Sequence, residues 1–481
     1  MTKRVFRRQH RAFFISYLAF FILLVASSFW LFSSTREGPG TKKHLIVAYE
    51  SLPHSFDGAE RYLAAVVRAF SNMEGVATTF VYRSNTGKCA ATAVDANTLD
   101  GTGVRVIEAT PSSETFAHLM TLPNTALLLP LSFFASCGGA GVNASSESYS
   151  AALLALKESA ECRSSSNTRG AAAAAAAGIC ATRLFIFDFD AQADRARGLA
   201  LFEPYPEQAK RYAADEAVLE ARELNLFARA DVLAMMTAED LAAAPATREG
   251  VPRMVIDFRD DMPPHLNTRG TPAARAASSA ALLPRWAERS GFVFVGSGNS
   301  GTNQVAIWSF LKNVWPKVRA ALPEATLYVV GPQPNALCKA FKIWCSWLGP
   351  LSADPHAAGV VVEGLVDDLD AFLSRMRVAV APMVTGTGVN TKTGLFLARG
   401  VPVVGTVKAA RGYGLPPYGV GLLVQNDMGA DYAATLVQLY TREDAWAAAS
   451  LAGLQLSARL DEQRQKAQDI RDVTALLFLN K

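Results

Sequence analysis

Between Arg377 and Gly414 the chain reads RVAVAPMVTGTGVNTKTGLFLARGVPVVGTVKAARGYG, and five residues there are the first candidates for chemistry: Gly386, Gly388, Asn390, Thr391 and Lys392. No bulky side chain stands in that loop before Val389, so backbone amides can approach a ligand closely. Amides at the start of a helix, with a lysine ammonium beside them, suit a phosphate. A second candidate ends the apolar run LFIFDFD, at Asp188-Phe189-Asp190. Two carboxylates at a strand end can orient or deprotonate a hydroxyl, hold a divalent metal, or cap a helix. The third is His54, beside the short glycine loop Asp57-Gly58-Ala59-Glu60. An imidazole there can move a proton or serve only the structure.

These residues need a frame to hold them. RVAVAP and PVVG are short apolar runs of the kind that form buried parallel strands, with the helix LFLARG between them and Gly400 as its stop. Two glycine-bearing loops then open at one sheet edge, where open α/β sheets bind ligands. Upstream, LIVAY, TTFVY, VRVIEA, ALLLPLSFF, LFIFDFD and DVLAMMT read as strands, with helices over Glu60–Phe70 and Ala214–Ala228. Val305, Trp308, Leu311, Trp315 and Val318 share one stripe at helical spacing, which reads as core packing. Thr271 to Ala281 reads as an Ala/Ser-rich linker at a domain boundary. Glu363-Gly364-Leu365-Val366 ends a strand before a helix capped by Asp367 and Asp368. Asp444 to Phe478 reads as a helical tail.

The C-terminal block, from Gly364 through GTGVNTK and GVPVVGT, resembles the GT-B glycosyltransferases of the retaining, glycogen-synthase-like superfamily (group 1, family 4-like). The resemblance extends to Gly291–Pro334, to His44–Phe70 and to segments around Asp188 and Thr237, and covers most of residues 44 to 450. It implies two doubly wound Rossmann-like domains facing a cleft. It puts Gly58, Gly296, Gly364, Gly386, Gly388, Asn390, Thr391 and Lys392 on a nucleotide-sugar donor, and Asp188 and Asp190 at the acceptor cleft as catalytic candidates, with His54, beside the first glycine loop, a third. It implies no cofactor and no metal, with a nucleoside-diphosphate sugar as donor substrate. The family's two motif glutamates fall here on Thr387 and Leu395, and its usual catalytic histidine is not evident after the LFIFDFD strand.

Phe13 to Ser33 carries no charge, and Lys3, Arg4, Arg7, Arg8 and Arg11 precede it. About 20 such residues suffice for one helix across a bilayer, and the basic flank keeps that end in the cytosol. A cleaved signal peptide is the competing reading, with Ser33-Ser34-Thr35 a poor cleavage site. Outside those five residues the chain holds 42 basic against 43 acidic residues, so its net charge of +4 marks no nucleic-acid surface. The six cysteines show no zinc-binding spacing. Asn143-Ala144-Ser145 is a glycosylation sequon in a Ser/Gly-rich stretch.

The expectation is therefore an α/β GT-B protein with an N-terminal transmembrane helix. Its parts are a cytosolic tail (1–12), a signal-anchor (13–34), a stem (35–43), an acceptor domain (44–284, with an insertion near 138–178), a donor domain (285–450) and a helix crossing back (451–481). Such a protein would move sugar to a hydroxyl of a glycan, protein or lipid, as a single-pass type II protein of the Golgi membrane, or second of the endoplasmic reticulum. The alternatives are an inactive GT-B binding module, a GT-A-like enzyme holding a metal on Asp188 and Asp190, and a nucleotide-sugar epimerase.

Overall fold

The computed structural model describes residues 43–49, 58–82, 103–109, 113–120, 122, 124–131, 182–257, 263, 266, 269–298, 300–332, 359–413, 422–424, 428–465 and 468–478. The Phe13–Ser33 segment, His54, Asn143, the insertion near 138–178 and all six cysteines lie outside them. Among the described residues no helix is long and apolar enough to cross a membrane.

The first sheet is built from β1 (Lys43–Tyr49), β2 (Val76–Tyr82), β3 (Arg105–Glu108), β4 (Thr125–Leu131), β5 (Arg183–Asp188), β6 (Val232–Met235) and β7 (Arg253–Val255). Its order is β3-β2-β1-β4-β5-β6-β7, and every pairing is parallel. The second consists of β8 (Ser290–Val295), β9 (Leu327–Val330), β10 (Val360–Gly364), β11 (Met376–Ala381), β12 (Val403–Gly405) and β13 (Leu422–Val424), in the order β10-β9-β8-β11-β12-β13, again parallel. In both, the order reverses beside the first strand, between β1 and β4 and between β8 and β11. Loops diverge at such a switch point and leave a crevice. The strands are the continuous apolar runs that burial on both faces demands: Leu45–Val47, Phe185–Phe187, Phe292–Phe294 and Val378–Ala381 are all shielded from solvent.

The helices in chain order are α1 (Gly58–Ser71), α2 (Glu114–Met120), α3 (Gln192–Phe202), α4 (Pro206–Phe227), α5 (Ala238–Ala243), α6 (Pro272–Leu282), α7 (Gly301–Asn313), α8 (Trp315–Ala321), α9 (Leu369–Ser374), α10 (Thr391–Leu397), α11 (Ala430–Thr441), α12 (Glu443–Gln465) and α13 (Gln468–Phe478). Three differ from the sequence expectation. The supposed linker is α6: Thr271 caps it by accepting from the Ala274 amide, Pro272 fills its first turn, and its alanines favour helix. The tryptophan stripe is core, as spacing implied, with Trp315 fully buried and Trp308 packed on the cluster's edge, but Pro316 starts a new helix and splits α7 from α8. Helix α4 begins eight residues earlier than Ala214, again at a proline.

Two long-range ties hold the tail. Arg275 of α6 donates to Asp461 of α12 at 2.5 Å, with both side chains nine-tenths buried. Beyond α12, α13 lies against the first sheet. Its Val473 and Leu477 are buried in the cluster that includes Leu45, Phe185 and Val232, and the Leu476 carbonyl accepts from Arg183.

Candidate active site

Strand β5 ends at Asp188, opposite Leu131 of β4 and Met235 of β6. The chain turns there because an Asp188 oxygen accepts from the Asp190 amide at 3.2 Å. Asp188 is fully buried, and its other carboxyl oxygen has no hydrogen-bond partner. Burial holds its pKa well above the usual carboxylate range, with Glu223, Asp190 and Asp240 adding to the rise. Asp188 thus lies behind Asp190, whose amide it holds. Glu223 of α4 accepts from the amides of Gln192 and Ala193 at 2.5 and 3.2 Å, capping α3, and burial pushes it up to about 7.

Asp190 is the outer of the pair. It bonds Arg195 of α3 at 2.8 Å, and Arg195 continues to the Thr302 hydroxyl of the second sheet's α7 at 3.1 Å. This tie was not foreseen, and it commits one Asp190 oxygen to a guanidinium. Among the described residues no group of three or more His, Cys, Asp and Glu is placed to hold a metal.

On the opposite side stands the glycine loop between β11 and α10. Gly386 has φ +132° and Gly388 φ +68°, conformations that favour glycine. A Cβ on Gly388 would lie 2.4 Å from the Phe189 carbonyl and 2.6 Å from an Asp190 oxygen. Only glycine lets the two segments approach so closely. The sequence-predicted Asp190 and Gly388 are thus brought together. Asn390 precedes α10, Thr391 opens it, and Tyr413 fixes the junction by donating to the Asn390 carbonyl at 2.8 Å while accepting from the Gly394 amide at 2.6 Å. The Thr387 hydroxyl and the Asn390 side-chain oxygen are buried without hydrogen-bond partners.

Lys392 reaches from α10 toward β8. Its ammonium donates to Asn303 at 2.8 Å and lies 5.3 Å from the centre of the Phe294 ring. Burial, with a smaller contribution from the nearby Arg195, lowers its pKa to about 7. Asn303 sits over Gly296, where a Cβ would be 2.6 Å from its amide nitrogen. Gly296, Asn303 and Lys392 therefore form one column at the β8–β11 switch point. Gly364 ends β10 with φ +76° and accepts from the Gly331 amide at 2.8 Å, two strands from that column. Gly58 is the first residue of α1. Leu395, where the resemblance implies a carboxylate, is turned into the core.

Sequence reasoning missed Asp240. Thr237 caps α5 and accepts from the Asp240 amide at 3.0 Å, while the Asp240 carboxylate crosses to the second sheet. There it accepts from the Gly388 amide at 2.9 Å and from Arg411 of the second glycine loop. Burial raises its pKa and Arg411 opposes the rise. The Thr-x-x-Asp capping pattern was visible in TAED, as was the arginine in AARGYG. Nothing in either pointed to the other.

Residues 289–442, from β8 through α11, match the family described as "Glycosyl transferases group 1". The protein is a glycosyltransferase. No curated protein matches the transferase. Among solved structures it is similar to sucrose-phosphate synthase from Thermosynechococcus elongatus (14% identity, 90% of this chain and 100% of that one, TM-score 0.56). It is also similar to Anabaena HepE in complex with UDP and glucose (12%, 90% and 100%, TM-score 0.55). A glycosyltransferase from Rickettsia africae is a third (9%, 92% and 100%, TM-score 0.53). At these identities the likeness is one of fold, and the two parallel sheets of the transferase are GT-B-like.

Proposed function

We propose that the transferase moves a sugar from a nucleoside-diphosphate sugar to a hydroxyl of a glycan, protein or lipid, with retention of configuration. The observation that carries this reading is the Gly386–Lys392 loop at the β8–β11 switch point, bearing fixed amides and an ammonium. Charge grows on a diphosphate as the glycosidic bond breaks, and donors already held in place stabilise it. The buried oxygens of Thr387 and Asn390 and the enclosed ammonium are polar groups that a bound donor can satisfy. UDP in the structure of Anabaena HepE supports a nucleoside diphosphate as the ligand.

In this reading residues 285–450 carry the donor, with Gly296 and Gly364 offering backbone edges, and residues 44–284 carry the acceptor. Asp190 orients the acceptor hydroxyl, and Asp188 positions Asp190 through its amide. No step requires a metal. A screen of nucleotide-sugar hydrolysis by the purified protein tests the reading, and turnover with at least one donor is expected to survive chelation. Asp190→Ala should lower turnover about tenfold, the worth of one hydrogen bond, with donor affinity within about twofold of wild type. Chelator-sensitive turnover restored by manganese would return the metal-dependent reading.

The uncharged Phe13–Ser33 segment and its basic flank support a type II anchor, with the enzyme facing the Golgi lumen. In intact microsomes the main body should resist added protease and Asn143 should carry glycan. Digestion of the body would reverse the orientation.

A further inference from the structure

One carboxylate joins the two glycine loops of the second sheet from outside that sheet. Asp240 is 1% exposed, and both of its oxygens are used: one by the Gly388 amide and the Thr237 hydroxyl, the other by Arg411. Helix α5 does not need this reach, because the Thr237 hydroxyl already satisfies its first turn. Arg411 is nine-tenths buried, and its Nε has no hydrogen-bond partner. The Asp240 carboxylate, already accepting from three donors, leaves that Nε unmatched. A phosphate, with more oxygens and more charge, can meet an amide and a guanidinium fork together.

We propose that Arg411 is a ligand of the donor diphosphate, and that Asp240 holds the Arg411–Gly388 anion seat as an internal competitor which the donor displaces. This rests on the nucleotide-sugar reading above and adds to it a charged residue and a gate. Removing Asp240 uncovers two donors for the incoming phosphates. It also frees the glycine loop from the first sheet's α5, so donor entry and loosening of this contact are one event.

Calorimetry on the full-length protein tests the proposal with UDP, GDP, inorganic pyrophosphate and uridine as probes. Asp240→Asn keeps the shape and lowers the charge, and should tighten binding of the preferred diphosphate about tenfold. Arg411→Gln should weaken it about tenfold, and Arg411→Lys should recover part of the loss. In the double variant the gain from Asp240→Asn should vanish, since the competitor acts through Arg411. Pyrophosphate should follow the diphosphate's pattern, and uridine should bind all variants alike. Unchanged or weaker diphosphate binding by Asp240→Asn, where wild type binds, overturns the proposal alone, as does an equal change for uridine. Wild-type protein that binds neither UDP nor GDP overturns the donor reading and this proposal together. Far-ultraviolet circular dichroism and thermal melts establish that each variant is folded.

Discussion

Lys392→Met is expected to weaken nucleoside-diphosphate binding by roughly 1.5–3 kcal/mol, about 10- to 150-fold, the worth of a charge-assisted hydrogen bond. Methionine keeps an unbranched apolar side chain and removes the ammonium, which lies over Phe294. A proton count makes the test sharper. The ammonium is held at about 7 by burial, so above that pH it is largely neutral. A diphosphate beside it favours the charged form, so binding near pH 8 should take up to one proton from the buffer. Affinity should then fall as pH rises from about 7 toward 9. Calorimetry in two buffers of different ionisation enthalpy reads this directly, and the uptake should be absent in Lys392→Met. Equal uptake in both proteins would place the titrating group elsewhere.

The same group shapes stability with the opposite sense. The unfolded chain holds the lysine proton up to about 10.5, whereas the folded protein releases it near 7. Between those values the unfolded state binds more protons, so stability should rise with pH across that window. Below about 7 the fold bears an enclosed ammonium and this gain is lost. Urea midpoints measured from pH 6 to 10 should lose that rise in Lys392→Met.

A larger effect on stability is expected at Arg275. Arg275→Ala strips a nine-tenths buried Asp461 of its guanidinium and should cost about 3–5 kcal/mol. The cost is that of a buried carboxylate losing its guanidinium, not of the pair itself. Replacing both partners, Arg275→Met with Asp461→Leu, should therefore restore most of the loss, because apolar groups of similar volume fill the same space without desolvated charge. Urea denaturation of the two variants compares them. An Arg275→Ala variant within about 1 kcal/mol of wild type would show that Asp461 finds water or another partner.

Much of the frame was legible in the sequence because parallel strands buried on both faces are continuous apolar runs. Leu184–Phe187 and Val378–Ala381 announce themselves without any tertiary knowledge. So do the glycines where the chain needs a positive φ, at Gly364, Gly388 and Gly400. The error over Thr271–Ala281 is equally instructive. An alanine- and serine-rich helix has little amphipathic contrast, so composition suggested a linker, and nothing local marks Arg275 as the buried residue that anchors it. The site was legible only on its own strand. Gly388 and Lys392 could be read from local spacing, but their neighbours Asp190, Asp240 and Asn303 belong to other elements. Asp240 lies 148 residues from Gly388 and reads locally as an ordinary acid in a helix's first turn. Spacing along a chain carries no information about which carboxylate crosses between two sheets.

The seating of α13 on the first sheet bears on how the protein is made. Arg183 and Leu476 are 293 residues apart, and the ribosome emits the stretch between them in about 15–60 s. Throughout that interval the apolar surface that Val473 and Leu477 will cover, shared with Leu45, Phe185 and Val232, stands open to water and to other chains. The half of the molecule synthesised first is the half completed last. A chaperone that binds exposed apolar surface is expected to hold it during synthesis, and slowing translation through the second sheet should lengthen the time it stays bound.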